Sequence, residues 1–202
     1  MKATYGGFEA KKSSSNFLPP VGQYIAEIQG VRLDKSYSGD RDVIVCMIEI
    51  MEGDYKGQYH KVFEDQKERF GDGVKYKGTF TLTPYIEGDE LYIKSRFEQN
   101  LWCVQESNPG YKWDWDEKKL KGKKIGINVR ENHYKGNDGT KKITTEIGQF
   151  ETIGDVRSGA CKDMNPRIAK ALKDEENNSS SSEGFHGVEY GTDVSGNVEV
   201  PF

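Results

Sequence analysis

The ten residues from Asp42 to Met51, DVIVCMIEIM, constrain the fold of this chain more than any other segment. β-Branched side chains dominate the run, and they favour the extended, pleated backbone of a strand. A preceding strand is predicted from Gln23 to Asp34, where apolar and polar residues alternate. The alternation changes phase at Gly30, as at a β-bulge or a tight barrel bend, so that Val31 and Leu33 continue the buried face.

Further along the chain, short apolar runs and turn residues predict the remaining elements. A helix begins at an Asp89 cap and ends at the Asn-Pro-Gly stop of residues 108–110, and Asn-Asp-Gly at 137–139 predicts the turn between the last two strands. These elements are the third strand Gln58–Asp65, a candidate extra strand Lys77–Thr83, the helix Asp89–Glu106, the fourth strand Lys123–Arg130, the fifth strand Lys141–Ile153 and a short basic helix Arg167–Lys173.

The predicted order of the elements, β-β-β-α-β-β, is that of the OB-fold, a five-stranded Greek-key barrel with one helix between strands three and four. The predicted fold class is therefore mainly β. The 23 glycines of the chain fit this architecture, because tightly coiled barrel strands bend at glycine. OB-folds bind oligonucleotides across strands two and three, flanked by the loops that join strands one to two and four to five.

Charge divides the chain into a body and a tail. Residues 174–202 contain seven acidic side chains and no lysine or arginine, so residues 1–173 carry +3 in a chain whose net charge is −4. The tail has too few apolar residues to form a core, and we expect it to be disordered. Residues 1–16 are polar and predict a flexible arm, which leaves 17–173 as the OB-fold domain with its short C-terminal helix.

The two predicted loops and the third strand carry the cations and aromatic rings that sequence-tolerant binding of a single strand requires. Cations neutralise phosphates, and aromatic faces stack on unpaired bases. The predicted binding residues are Lys35, Tyr37 and Arg41 between strands one and two, Tyr59, Lys61 and Phe63 on strand three, and Arg130, Tyr134, Lys135, Lys141 and Lys142 between strands four and five.

Two aromatic groups have a structural alternative to a binding role. Tyr59 and Phe63 flank Val62 in a run without a clean polar face, so stacking and core roles are equally open for them. Trp113 and Trp115 lie beside aspartates that would repel phosphate, and we interpret both tryptophans as structural.

Four segments carry a family resemblance: FLPPVGQY at 17–24, EGDYKG at 52–57, ESNPGYKWDWD at 106–116 and LKGK at 120–123. With them, residues 17–160 resemble bacteriophage single-stranded DNA-binding proteins of the OB-fold type. The resemblance implies binding and protection of single-stranded DNA during phage replication, recombination or repair. The segment Glu199, Val200, Pro201 and Phe202 is similar to the acidic, Pro-Phe-ending tails of bacterial single-stranded DNA-binding proteins, and it implies a tip that docks replication or recombination proteins.

Other function classes have no matching motif in the sequence. A metal-dependent nuclease needs converging carboxylates and a lysine, and Glu49, Glu64, Asp65 and Lys67 form no compact motif of this kind. We therefore expect no cofactor, metal or catalytic site. A protein-interaction or host-takeover module on the same barrel is the main alternative function. RNA also stays open as the ligand, because aromatic stacking does not distinguish it from DNA.

Cysteine spacing and hydropathy predict the compartment. The three cysteines are far apart, the three histidines have no metal-ligand spacing, and no apolar run is long enough to span a membrane. These features predict a protein of the reducing cytoplasm, which is the host cytoplasm for a phage protein. One OB groove holds only about 4–16 nucleotides, so we also expect self-association.

Overall fold

A computed structural model describes residues 17–36 and 38–173 of the chain. Three groups of sequence predictions lie outside these described residues. They are the arm 1–16, the loop residue Tyr37, and the tail 174–202 with its docking residues Glu199, Val200, Pro201 and Phe202.

Strands dominate the described ranges, so the prediction of a mainly β fold is confirmed at that level. The strands are β1 (Gly22–Lys35), β2 (Asp42–Ile50), β3 (Thr79–Leu82), β4 (Lys124–Lys135), β5 (Lys141–Glu151) and β6 (Arg167–Ile168). The helices are α1 (Gln58–Phe70), α2 (Leu91–Ser107) and α3 (Ile153–Ser158), with a 3-10 helix at Glu117–Leu120.

The strands form one sheet in the order β3-β2-β1-β4-β5, with antiparallel neighbours, and the short β6 pairs in parallel with β4. β3 and β5, at the two ends of this order, contact each other, and the ring centroids of Phe80 and Phe150 lie 4.5 Å apart. The sheet therefore curls around a core of aliphatic and aromatic side chains. Fully buried residues such as Ile48 and Ile127 each stabilise the fold by roughly 1.5–3 kcal/mol relative to an exposed side chain.

The bulge predicted in the first strand is confirmed, because the pairing of β1 with β2 shifts register between Ile28 and Gly30. Val31 packs against the core after the bulge, as predicted. Leu33 does not, since 54% of its surface is exposed. β1 pairs with β4 only as far as Glu27, and its second half pairs with β2, which pairs in turn with β3 along Ile44–Met47.

The prediction of a third strand at Gln58–Asp65 is wrong, because these residues begin helix α1. The carboxylate of Glu49, near the end of β2, accepts hydrogen bonds from the backbone N–H groups of Tyr59 (3.1 Å) and His60 (2.7 Å). It thereby satisfies donors that the first turn of a helix leaves without an intrahelical partner. Tyr59 and Val62, three residues apart, form the buried face of the helix. The third strand in the described chain is β3, within the candidate extra strand.

The predicted helix between strands three and four is confirmed as α2, and its buried stripe includes Phe97 and Val104. The helix begins later than an Asp89 cap would place it, and its first residue, Leu91, is 82% exposed. Asp89 instead accepts a hydrogen bond from the guanidinium of Arg41 (2.5 Å), in the turn between β1 and β2. That ion pair joins the β1–β2 turn to the segment that enters α2.

Side chains of α2 bind the free edge of β5. Asn100 accepts a hydrogen bond from the backbone N–H of Phe150 (2.8 Å), and the thiol of Cys103 donates to the carbonyl of the same residue (3.4 Å). One turn before Asn100, Arg96 donates to the carbonyl of Gly148 (3.1 Å). Helix side chains therefore satisfy backbone groups on this part of the β5 edge, where another strand would otherwise pair.

The last two strands form a long hairpin around the predicted Asn-Asp-Gly turn. β4 continues to Lys135, beyond the predicted strand end at Arg130, so Tyr134 and Lys135 are strand residues and not loop residues as predicted. Residues 136–140 form the turn, which the hydrogen bond from Gly136 N–H to the carbonyl of Thr140 closes (2.8 Å). The fifth strand ends at Glu151, before α3.

The prediction of a basic helix from Arg167 to Lys173 is wrong at its start. Arg167 and Ile168 form β6 and pair with Asn132 and His133 of β4, and helical backbone begins only at residue 170. Pairing with the β4 edge satisfies backbone groups that a first helical turn would have left unpaired. As a result the guanidinium of Arg167 lies beside the β4–β5 hairpin.

The three cysteines all fall in the described ranges and are free thiols, with Cys46 and Cys103 buried and Cys161 partly buried. Burial raises the pKa of Cys46 to about 12. Across residues 17–36 and 38–173, no helix combines the length and the apolar character that crossing a bilayer requires.

Candidate functional site

A polar groove of about 530 Å³ lies between β3 and β5, where these two strands contact each other without forming a hydrogen-bonded ladder in the described sheet. Threonines of both strands line its floor. The charged and aromatic side chains of its described lining come from five separate parts of the chain. We call it the seam groove and define it by Lys77, Arg96, Arg130, Tyr134, Glu146 and Arg167.

Positive charge exceeds negative charge in the seam groove. Its described lining contains four basic side chains and one carboxylate, that of Glu146. Glu146 Oε1 accepts hydrogen bonds from Arg130 Nε (3.0 Å) and Nη2 (2.9 Å), and its Oε2 accepts one from Arg167 Nη1 (3.2 Å). Among the described residues, Lys77 and Arg96 have no carboxylate partner. The groove therefore offers two orientated guanidinium groups and two further cations to an anion.

A second cavity of about 370 Å³ lies next to the seam groove. It lies between the β1–β2 turn, the end of β3 and the first turns of α2, and Thr81 and Arg96 line both cavities. Tyr92, one helical turn before Arg96, is 64% exposed and lines the second cavity. We call this cavity the helix pocket and define it by Ser36, Arg41, Thr81, Tyr92, Arg96 and Phe97. The two cavities are therefore neighbours along β3.

The two described cations predicted between strands one and two are engaged in ion pairs. Lys35 binds Asp42 (2.6 Å) in an exposed pair. Arg41 binds both Asp89 (2.5 Å) and Asp40 (3.1 Å), and its side chain is only 15% exposed. The hydrogen bond from Arg41 lowers the pKa of Asp89, which favours the charged form of this pair. Arg41 therefore holds the turn in place and offers little free positive charge to the helix pocket.

The three residues predicted on strand three do not line the seam groove in the described structure. They lie on α1, so they do not share one face as alternating strand residues would. Tyr59 is 2% exposed, which assigns it to the core and raises the pKa of its hydroxyl through burial. Phe63 is half-buried against the ring of Tyr76, with centroids 5.7 Å apart. Lys61 is exposed and donates to the backbone carbonyl of Lys56 (3.3 Å).

Of the five residues predicted between strands four and five, two lie in the seam groove and three lie close to it in the sheet. Arg130 and Tyr134 line the seam groove directly. Tyr134 pairs with Lys142, and Lys135 with Lys141, at the end of the β4–β5 hairpin. Lys142 also forms an ion pair with the aspartate of the turn (3.1 Å). These three exposed lysines place additional positive charge beside the exposed ring of Tyr134.

Sequence reasoning missed most residues that define the two cavities, among them the cations Lys77, Arg96 and Arg167 and the exposed ring of Tyr92. Lys77 lies in a glycine-rich stretch. Tyr92 and Arg96 lie on helix α2, outside the loops that an OB-fold uses for binding. Arg167 was placed on a helix. The i, i+4 spacing of Tyr92 and Arg96 was the available signal, because it puts an aromatic ring and a cation on the same helix face.

The two tryptophans after α2 differ in burial. Trp113 packs partly buried against the core, as its structural interpretation predicts. Trp115 is 60% exposed and has a φ of 67°, in the left-handed region. Asp114 does not stand as an unpaired charge beside them, since it forms an ion pair with Lys119.

No group of three or more histidine, cysteine, aspartate or glutamate side chains that could hold a metal ion occurs within the described ranges. A comparison with protein-family models gives no match for the chain, and a comparison with curated proteins gives none either.

Proposed function

We propose that residues 17–173 form an OB barrel that binds single-stranded DNA without strong sequence preference. The strand order β3-β2-β1-β4-β5, the contact between β3 and β5, and the position of α2 between β3 and β4 support this architecture. A five-stranded Greek-key barrel with a helix between its third and fourth strands would have this pairing and this connection.

The seam groove is the observation that carries the proposal. Its described cations, Lys77, Arg96, Arg130 and Arg167, outnumber its single described carboxylate, so a chain of phosphates would be attracted along it. Exposed rings accompany these cations, with Tyr134 beside the groove and Tyr92 in the adjoining helix pocket. Base stacking on such rings requires unpaired bases, which favours a single strand over a duplex.

The biological context is also a proposal. The protein would coat and protect single-stranded DNA during phage replication, recombination or repair in the host cytoplasm, as a binding protein without catalytic activity. It would self-associate along the strand and recruit replication or recombination proteins through residues 199–202. This part of the proposal is supported by the resemblance of the sequence segments and by the cation-free composition of residues 174–202.

The test is a fluorescence-anisotropy titration of the full chain onto a labelled thymidine oligonucleotide and a matched duplex at several salt concentrations. We expect preferential binding to the single strand that weakens as salt rises. Lys77→Ala should bind several-fold more weakly, and the slope of log K against log salt should be shallower by about 0.7, the change for one phosphate contact on a single strand.

Lys61→Ala is the matched control for this variant. Lys61 is an equally exposed lysine on α1, outside the seam groove, and its loss should leave the affinity and the salt slope unchanged. Equal binding to duplex and single strand, or no binding to either at low salt, would reject the proposed function. The protein-interaction alternative would then gain support.

A further inference from the structure

We infer that Trp115, supported by Phe97, forms a base-stacking ridge beside α2, a second binding surface that takes unpaired nucleobases by their aromatic faces. The inference rests on the proposed function and extends it, since the ridge lengthens the ligand path beyond the seam groove. Its geometry depends on Phe97, which lines the helix pocket and also supports the ring of Trp115.

The ridge is built on a cluster of aromatic rings. The indole of Trp115 stacks on the ring of Phe97 with a centroid distance of 5.8 Å and an interplanar angle of 24°. Tyr85 meets both rings edge-on, 6.0 Å from Phe97 and 6.3 Å from Trp115, and Trp113 meets Phe97 at 6.3 Å. Phe97 is only 3% exposed, so the cluster is anchored in the core and fixes the orientation of the outer indole.

The exposed position of Trp115 is not explained by the stability of the fold. The indole is 60% exposed, although tryptophan gains more than most side chains from burial. Its φ of 67° makes it the one non-glycine residue with positive φ among the described residues. That conformation is unfavourable for an L-residue that is large and apolar. An accessible aromatic face held in an unfavourable backbone conformation is the arrangement expected of a ligand contact.

Charge decides which part of a nucleic acid the ridge contacts. Asp114 binds Lys119, and Asp116 accepts a hydrogen bond from the backbone N–H of Lys118 (3.1 Å) at the start of the 3-10 helix. Lys119 is shared between the carboxylates of Asp114 and Asp116, so these three side chains offer phosphates no excess of positive charge, whereas the seam groove does. A single strand can satisfy both surfaces, because its phosphates and its unstacked bases point to different sides. The ridge therefore binds bases, and the groove binds the backbone.

Three expectations follow for affinity. A stacked base on an exposed aromatic side chain contributes enough that its loss lowers affinity at least about fivefold. Because stacking releases no counterions, this loss should be the same factor at low and high salt, unlike the loss caused by removing a groove cation. The effect should appear only with oligonucleotides long enough to reach from the seam groove to Trp115.

The experiment compares the full chain with Trp115→Ala and Trp115→Phe on thymidine oligonucleotides from 4 to about 20 nucleotides, across several salt concentrations. We expect Trp115→Ala to bind the long oligonucleotides at least about fivefold more weakly and the shortest ones unchanged, and Trp115→Phe to keep most of the affinity. Trp102→Ala is the matched control, because this tryptophan of α2 is 46% exposed and does not line the helix pocket.

The outcomes separate this inference from the proposed function. If the wild-type protein binds single strands and Trp115→Ala binds every length as tightly as the wild type, the ridge is overturned and the proposed function stands. The exposed indole would then be better explained as a protein contact. Wild-type protein that binds no oligonucleotide would overturn both. Near-ultraviolet circular dichroism of each variant checks that the aromatic cluster is intact. If the alanine variant is misfolded, tryptophan fluorescence provides the result: long oligonucleotides should quench the wild-type protein more than Trp115→Phe, and equal quenching of the two proteins would overturn the ridge.

Discussion

Removing the negative charge of Glu146 should strengthen the binding of single-stranded DNA. Its carboxylate lies within 3.2 Å of donors from both Arg130 and Arg167, so it neutralises part of the charge that the seam groove offers to phosphates. Glu146→Gln keeps the size of the side chain and an oxygen that can accept from one arginine. The substitution therefore removes charge with little change in packing.

The magnitude follows from the geometry. A phosphate that contacts the same guanidinium groups would lie about 5 Å from the Glu146 carboxylate. The repulsion between two unit charges at that separation is about 0.8 kcal/mol in bulk water and about 3 kcal/mol at the effective dielectric constant of a protein surface. The side chain is 21% exposed, so the true value falls between these limits. We expect an affinity gain of at least about fourfold at low salt.

The assay is the anisotropy titration at several salt concentrations. Glu146→Gln releases about one cation of the groove for contact with phosphate, so the slope of log K against log salt should steepen by about 0.7. Glu131→Gln is the control, because this glutamate of β4 binds His133 (2.7 Å) and does not line the groove. Its removal changes the net charge by the same amount but at a different place.

The reasoning would be refuted if Glu146→Gln bound no more tightly than Glu131→Gln, or more weakly than the wild type. The first result would mean that net charge alone governs binding and that the groove is not the site. The second would mean that the carboxylate orientates Arg130 and Arg167, and that this positioning outweighs its repulsion of phosphate. Thermal unfolding of both variants checks that the fold is unchanged.

Two further predictions concern stability. Glu49→Ala should lower the free energy of unfolding by about 2–4 kcal/mol, because it leaves the N–H groups of Tyr59 and His60 unpaired. Denaturant titration measures this change, and an unchanged midpoint would contradict the capping role. Burial raises the pKa of Cys46 from 9.0 to about 12, so its thiol ionises in the unfolded chain first and stability is lost as pH rises above about 9. Cys46→Ala should reduce the fall in unfolding free energy between pH 8 and pH 10 by about 1 kcal/mol, and an equal fall in both proteins would argue against it.

The parts of the fold that sequence reasoning predicted depend on local signals. The β-branched run of β2, the bulge at Gly30 and the turn at 137–139 are each specified by a few neighbouring residues. The helix α2 has a long enough apolar stripe to fix its type, although not the place where it begins. The mainly β class followed from these elements, whereas the predicted element order contained a third strand where the structure has helix α1.

Helix α1, strand β6 and the seam groove could not be predicted from the sequence, because they depend on contacts between residues that are distant along the chain. Helix α1 begins where Glu49, about ten residues earlier, satisfies its first N–H groups, and no local pattern in 58–65 reports that bond. Arg167 becomes a strand residue through pairing with β4, across more than thirty residues of chain. The seam groove combines side chains from β3, α2, β4, β5 and β6, so its cations could be recognised only once the sheet had brought them together.

The position of the groove follows from how the edge of β5 is covered. Cys103 and Asn100 of α2 bind the backbone of Phe150, and Arg96 binds the carbonyl of Gly148, so the helix takes the place of a neighbouring strand along this stretch. Where these bonds end, residues 144–147 face β3 across the seam groove. Of the three helix side chains that bind the β5 backbone, Arg96 bonds the residue nearest to 144–147. It also lines both the seam groove and the helix pocket. One guanidinium therefore covers the strand edge and supplies charge to the groove, so the seam groove begins where the helix ceases to cover the edge.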